Sequence, residues 1–466
     1  MKRSAWVLLA AVLTACAGPR VAAPPDPPVP LEGRRFAGEP AGLATAALAH
    51  RWWTRFGDPV LDELVGRAVD GNLDLRRAAA RVAEARAART RARAPLLPEV
   101  TGSASAERAR TAGVTFGDRV SSRYSVSAGF SYEVDLWGRV ASLAEASHQE
   151  AVAAEADRAR AYQALVAEVV RTYVDLAAAL EQLDVLRRTA ETDRVRLAVA
   201  EARFRRGLAP AADVHQTRQQ VAAAEARVEA LEQEASLARH RLGLLLGEYP
   251  AADDGLRPAP LQVPVPVPVG VPLDLLLARP DLVAAQGRYL AAAARHGAAE
   301  AERYPRLALT GTAGQASSAL EDLTLGGASF WNLLGNLVQP LFDAGRRRAA
   351  AAEAEARAEQ ARLAWGQAVL EALREVEDVL TVEAAQRRRL AALDRSREAA
   401  RKALATAELR YRRGLEEITR TLQARNTLLA TELEQIEARR TLLRNRASLH
   451  LALGGDWGEE MASRQW

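Results

Sequence analysis

Cys16 is the side chain in this sequence whose setting most clearly names a reaction. It is the only cysteine, so no intramolecular disulfide can form and an exported thiol must have another purpose. Leu13-Thr14-Ala15 before it supplies the small residues that lipoprotein signal cleavage requires, and Cys16 is read as the lipidated first residue of the mature chain. Met1 to Ala15 fits the rest of such a signal. Lys2 and Arg3 form the charged end, and Ala5 to Leu13 an apolar core too short to span a membrane as a helix. One acyl chain anchors only marginally, so the lipid is read as a supplement to a larger membrane element.

Other chemistry is hard to find. His50, His148, His215, His240, His296 and His450 are scattered, with no two at helical metal spacing. No phosphate-cradling glycine loop occurs, and no Gly-x-Ser-x-Gly elbow precedes a helix. Glu375 and Asp378 form a carboxylate pair on a charged helix face, most simply solvated. No catalytic residue, metal ligand or cofactor is therefore assigned, apart from the covalent lipid on Cys16, and the expectation is a protein that is not an enzyme. The net charge of +4 over 466 residues, with both signs interspersed, argues against nucleic acid as a partner.

The elements around these residues say more. From Tyr124 to Leu136 one parity carries Tyr124, Val126, Ala128, Phe130, Tyr132, Val134 and Leu136, and the other Ser125, Ser127, Gly129, Ser131, Glu133 and Asp135. That unbroken two-residue period predicts a strand with one apolar and one polar face. At ~3.3 Å per residue it spans roughly 40 Å, long for a soluble strand and suited to a bilayer, while an edge strand of an ordinary sandwich would show the same alternation. Weaker strands are expected near Val100–Glu107, Leu307–Gly314 and Phe330–Phe342.

The chain states its plan twice. Phe204-Arg205-Arg206-Gly207-Leu208 returns as Tyr411-Arg412-Arg413-Gly414-Leu415, Pro98 as Pro305, and Gly138-Arg139 as Gly345-Arg346, all 207 positions apart. A constant offset over separate landmarks means duplication without net insertion. Each half carries a proline-free helix, Arg139 to Arg206 and Arg346 to Arg413, of about 100 Å at 1.5 Å per residue. Tyr162, Val166, Val169, Tyr173, Leu176, Leu180 and Leu183 alternate steps of four and three, the seam of a coiled coil, and Leu165, Val170 and Val174 widen that face.

The predicted fold is mainly α with a small β part: long coiled-coil helices forming an α-barrel, and four strands per chain. Its divisions are a signal peptide at 1–15, an anchor and proline-rich tether at 16–50, a first repeat at 51–249, a proline-rich connector at 250–275, a second repeat at 276–454, and a tail at 455–466. Four strands cannot seal a membrane barrel, because open edges are not tolerated in hydrocarbon. Several copies must therefore contribute, and a homo-oligomer is expected.

With these features assembled, the chain resembles the outer-membrane efflux protein family, the TolC-like channels, in its lipoprotein branch. The resemblance covers nearly everything after the signal. It rests on Trp52-Trp53 through Phe56-Gly57-Asp58-Pro59 with Leu61, on Asn72-Leu73-Asp74-Leu75, on Tyr132 to Arg139, on Leu244-Leu245-Leu246-Gly247, on Ala278-Arg279-Pro280-Asp281-Leu282, and on the paired aromatic-x-x-Gly-Leu turns. By analogy with lipoprotein sorting, Ala17 in place of an aspartate allows passage to the outer membrane. The resemblance implies a homotrimer with a shared barrel of ~12 strands in outer-membrane lipid. It implies a helical tunnel through the periplasm whose tip turns, Gly207-Leu208 and Gly414-Leu415, meet a periplasmic adaptor, or membrane fusion protein, linked to an inner-membrane pump. Passage would be passive.

Relatives in this family often carry acidic residues one turn apart after the second tip glycine, at a possible gate. Here those positions hold Arg420 and Gln423, with Asp213 at the matching place of the first half and Glu416 and Glu417 beside the second turn. Two readings stand: a gate with altered ion preference, or Arg420 in a structural salt bridge to Asp213 or a neighbouring glutamate. For the whole chain, the competing reading is a lipid-anchored periplasmic coiled-coil scaffold or adaptor.

Overall fold

The structure, a computed structural model, describes residues 51–111, 119–250, 255–259, 277–325 and 328–454. Cys16, the signal and tether, most of the 250–275 connector and the tail lie outside the described residues. The chain divides into two compact units.

The first unit, built on residues 80–156 and 282–368, holds the sheet. Strands β1 (Glu99–Thr111), β2 (Arg119–Val134), β3 (Arg306–Ser317) and β4 (Ala328–Val338) pair antiparallel in that order. The sheet grows out of helices. Helix α2 (Leu73–Arg93) leads into β1, β2 leads into α3 (Arg139–Arg205), α5 (Pro280–Ala301) leads into β3, and β4 leads into α6 (Arg346–Arg412). At the junctions, Arg139 donates two hydrogen bonds to Glu133 (2.9 and 2.7 Å), and the Asp135 carboxylate accepts from the backbone of Ala141 (2.7 Å). Trp137 stacks on Tyr304 at 4.8 Å and donates to the Pro305 carbonyl. Helices α3 and α5 meet through small residues, Ala153, Ala156 and Ala284, and a Cβ on Gly287 would stand 3.0 Å from the Gln149 carbonyl.

Every strand differs from expectation at an end: β1 runs on to Thr111 past Glu107 and β3 to Ser317 past Gly314, and β2 and β4 are displaced further. β2 starts at Arg119 instead of Tyr124, because its polar first residues are held by backbone pairing to β1 through Thr111↔Arg119 and not by an apolar face. It stops at Val134, since Asp135 is committed to capping α3. β4 ends at Val338, short of Phe342: Pro340 has no donor for a ladder, and Asp343 caps the next helix by accepting from Gly345 (3.1 Å).

The second unit, built on residues 51–79, 157–281 and 369–454, is helical: α1 (Pro59–Gly71), the later turns of α3, α4 (Ala211–Leu246), the later part of α6, and α7 (Ile418–Ala452). Its core contains Trp53, Leu61, Val65, Tyr162, Val166, Val169, Tyr173, Leu176 and Leu242. The seam and the widening residues are buried as their spacing predicts, except Leu180, which is half-buried at the edge of this cluster. Helix α1 is capped by Asp58, whose carboxylate accepts from Val60 (3.0 Å) and from the Tyr173 hydroxyl. Asn72 joins α1 to α4 by donating to the Leu245 carbonyl (2.9 Å) and accepting from Leu75 (3.0 Å). There the backbones nearly touch. A Cβ on Gly71 would meet the Leu246 carbonyl at 2.1 Å, and one on Gly247 the Gly71 carbonyl at 2.4 Å.

The duplication is visible in element boundaries. Helices α3 and α6 are each 67 residues long and begin at Arg139 and Arg346; α4 and α7 begin at Ala211 and Ile418, and β1 and β3 at Glu99 and Arg306. Each pair stands at the offset found in the sequence.

Candidate functional site: an amphipathic sheet and paired helical tips

The sheet sorts its side chains by chemistry. One face carries the rungs Val134/Leu307/Leu337, Tyr132/Leu309/Gly335, Val100/Phe130/Gly311/Leu333 and Gly102/Ala128/Ala313/Trp331. The other carries Thr101, Ser103, Ser105, Ser125, Ser127, Thr310, Thr312 and Asn332, and β4 breaks the pattern there, with Phe330, Leu334 and Val338. Hydroxyl pairs Ser103–Ser127 (2.8 Å) and Ser105–Ser125 (2.7 Å) tie β1 to β2 on the polar side, and the Asn332 side-chain Oδ1 accepts from the Thr312 backbone N–H (3.0 Å). The apolar face is bare: Val100 is 72% exposed, Trp331 80% and Leu333 65%. Among the described residues both outer strands, β1 and β4, have an unpaired edge. A sheet greasy on one side, wet on the other and open at both edges matches one segment of a membrane barrel wall. Among the described residues no helix is long and apolar enough to cross a membrane.

The helical tips are built alike. Gly207 and Gly414 take left-handed φ values of 69° and 74°, which lets Leu208 N–H reach back to the Arg203 carbonyl and Leu415 N–H to the Arg410 carbonyl, both at 2.9 Å. This is the glycine-ended helix cap in which orphan carbonyls are satisfied. Leu208 and Leu415 remain exposed. The two tips lie against each other through Arg203, which donates to the Tyr411 hydroxyl (2.8 Å) with its guanidinium 5.7 Å from that ring. Behind them is a cavity of about 330 Å³ with Val195, Val199, Ile418 and Leu422 on its apolar side and Arg203, Asp213 and Tyr411 among its polar groups.

The gate candidates separate. Asp213 is half-buried in the cavity wall. Arg420 and Gln423 are exposed, and Arg420 lies 3.5 Å from Glu416, which also meets Arg410 at 3.6 Å. The neighbouring-glutamate pairing is thus the one present. Glu417 is the residue before α7 and caps nothing with its side chain.

Sequence reading missed the ion pairs behind the tips. Asp193 on α3 meets Arg425 on α7 at 2.8 Å with little solvent reaching either, while Arg196 pairs with Glu408 at 2.8 Å. Burial pushes the Asp193 carboxyl up from its usual range, against the pull of Arg425 and Arg196. Farther along, Asp175 on α3 meets Arg440 (2.8 Å) and Arg444 of α7. Heptad charge patterns could have suggested such pairs, but not which arginine faces which carboxylate. Among the described residues no group of three or more His, Cys, Asp or Glu converges as a metal site.

Comparison with known proteins agrees with this geometry. The family described as Outer membrane efflux protein matches residues 64–248 and 271–455, two segments whose starts are 207 residues apart. The chain is 34% identical to the outer membrane protein OprJ of Pseudomonas aeruginosa, over 97% of this chain and 95% of OprJ. It is 29% identical to the probable outer membrane lipoprotein SilC of Salmonella typhimurium, over 93% of this chain and 94% of that one. Its structure superposes on the outer-membrane channel OprN with a TM-score of 0.86 at 31% identity, covering 93% of this chain and 99% of OprN.

Proposed function

This chain belongs to the outer membrane efflux protein family, and we propose that three copies of it close their sheets into one barrel that drains a tripartite export system. It is an efflux channel of the outer membrane, and the family is one of ducts. A lipid-anchored scaffold, the competing reading, gives no reason for a bare apolar sheet face or for likeness to a solved channel along nearly the whole chain.

The observation that carries the assembly is the sheet with two open edges. Each chain supplies four strands, and pairing β4 of one copy to β1 of the next removes the edges that hydrocarbon forbids. The polar face then lines the lumen. The helices extend inward as a tunnel, and the tips at Gly207-Leu208 and Gly414-Leu415 present exposed leucines to a periplasmic adaptor joined to an inner-membrane pump. No catalysis is invoked, and energy comes from the pump. Cys16 carries the lipid. Because Arg420 and Gln423 stand where an acidic pair is frequent, the constriction has little affinity for divalent cations.

Purified protein in detergent is expected to run as a heat-modifiable oligomer and to conduct in planar bilayers, with divalent cations blocking weakly. A lone subunit, soluble without detergent and lacking a sheet signal in circular dichroism, would overturn the duct. Strong divalent block would overturn the gate assignment alone. Cys16→Ser is expected to abolish fatty-acid labelling while leaving conductance in place.

A further inference from the structure

We propose that the outer end of the sheet binds the phosphate groups of a phosphorylated glycolipid of the outer leaflet, held by Arg108 and Arg110 on the lipid-facing side of β1. The inference rests on the reading of the sheet as barrel wall with its helices directed inward.

Three observations place the site. First, the β1–β2 hairpin projects beyond its neighbour. β2 pairs with β3 only from Tyr124 downward, whereas it continues pairing with β1 through Arg123↔Glu107 to Arg119↔Thr111. Those five extra residues of β2 add about 16 Å. Second, parity fixes the face. Val100, Gly102, Ala104 and Ala106 share the apolar face with Phe130, Ala128, Val126 and Tyr124, and Arg108 and Arg110 continue the same series opposite Ser122 and Val120. Both arginines are exposed. Third, the order of residues up that face is apolar rungs, then Tyr124, then Arg108, then Arg110. An arginine on the lipid face costs about 2–4 kcal/mol at the midplane and little at the interface, so the pair belongs at headgroup level, just above the interfacial tyrosine.

Two arginines whose Cα positions stand about 7 Å apart on one strand face suit phosphate, which arginine holds bidentately. The duplication sharpens the point, because Gln315 and Ser317 occupy the corresponding places in the second half. The basic pair is confined to the first half, so an assembled trimer carries three such sites and not six.

The test uses the full lipoprotein in detergent with bisphosphorylated lipid A as probe, and measures binding by native mass spectrometry and the rise in dissociation temperature. Arg108→Ser/Arg110→Ser is expected to weaken binding about thirtyfold, from about fivefold per arginine, with conductance unchanged. Arg123→Ser, on the opposite face across from Glu107, is expected to leave binding intact. Equal affinity for dephosphorylated lipid A, equal affinity of the double variant, or equal loss from Arg123→Ser would each overturn the site. Displacement by millimolar inorganic phosphate, or equal binding of phosphatidylglycerol, would overturn the glycolipid as occupant. Failure of the native protein to conduct is a different result, and counts against the channel reading instead.

Discussion

At Gly314 the sheet has no room to spare against its neighbouring backbone. This glycine is paired with Ser127, and directly opposed residues in an antiparallel sheet normally hold their Cβ atoms about 4.5–5.5 Å apart. A Cβ on Gly314 would stand 2.6 Å from Ser127 Cβ and 2.4 Å from the Val126 carbonyl oxygen. In a Gly314→Ala variant β2 and β3 must therefore part by about 2 Å at that rung. Two ladder hydrogen bonds are then stretched beyond useful length, at ~1–3 kcal/mol together in water and more in hydrocarbon, where each unsatisfied group costs several. Reduced freedom of the unfolded chain returns only ~0.4–1 kcal/mol. The net loss is at most about 2.6 kcal/mol per chain on the aqueous figures and exceeds that where the ladder lies in hydrocarbon. Gly311, three residues earlier, makes the control. The three atoms nearest a Cβ there all belong to the Phe130 ring, Cε1 at 2.3 Å, and the ring can turn toward lipid at a rotamer cost of ~0.5–1.5 kcal/mol. Heat dissociation of the assembled protein on gels is expected to fall markedly for Gly314→Ala and little for Gly311→Ala. Unchanged dissociation of Gly314→Ala, or the reverse order of the two variants, would refute the reasoning.

Tyr411→Phe removes the hydrogen bond from Arg203 but keeps the ring beneath the guanidinium, so the tip contact weakens by about 1 kcal/mol and single-channel open time is expected to lengthen severalfold. Arg279→Ala deletes a buried guanidinium that donates to the Ala452 carbonyl (2.7 Å), Asp281 and Glu375 (2.7 Å); a loss of ~3–5 kcal/mol is expected in denaturant melts. His450 is buried and stacked on Trp52 at 4.6 Å, and burial, helped by Arg55 and Arg446, pushes it down to about 3. It is neutral when folded, so its contribution is complete above the unfolded value near 6.5 and is lost as pH falls toward 3, by ~1.4 kcal/mol per unit. Melting of native protein between pH 6.5 and 4.5 is expected to drop, and His450→Phe to flatten that slope.

Much of this architecture is legible in the sequence because its signals are periodic. The two-residue alternation through Phe130 and the seam through Tyr173 each repeat often enough to fix a face, and proline and glycine landmarks fix the offset. What stayed hidden depends on pairing across the chain. Arg119 to Arg123 look like loop, and only backbone bonding to β1 makes them strand. Arg420's partner could be narrowed to Asp213 or a nearby glutamate, yet the choice of Glu416 follows from the way the tip turn leads into α7. Asp193 and Arg425 are 232 positions apart, and nothing local in the sequence marks them as a couple. The glycine pair at Gly71 and Gly247 could be noticed as punctuation, but its reason is the near-contact of two backbones.

The equal length of α3 and α6, 67 residues each, restricts how such a protein can change over generations. Adding one residue to either helix turns everything beyond it by about 100° and advances it 1.5 Å, which would slide Arg203 off Tyr411 and swing buried seam residues into water. Growth or shrinkage must therefore arrive in both halves at once and in whole coiled-coil repeats, so lineages are expected to differ in heptad-sized, doubled steps or not at all.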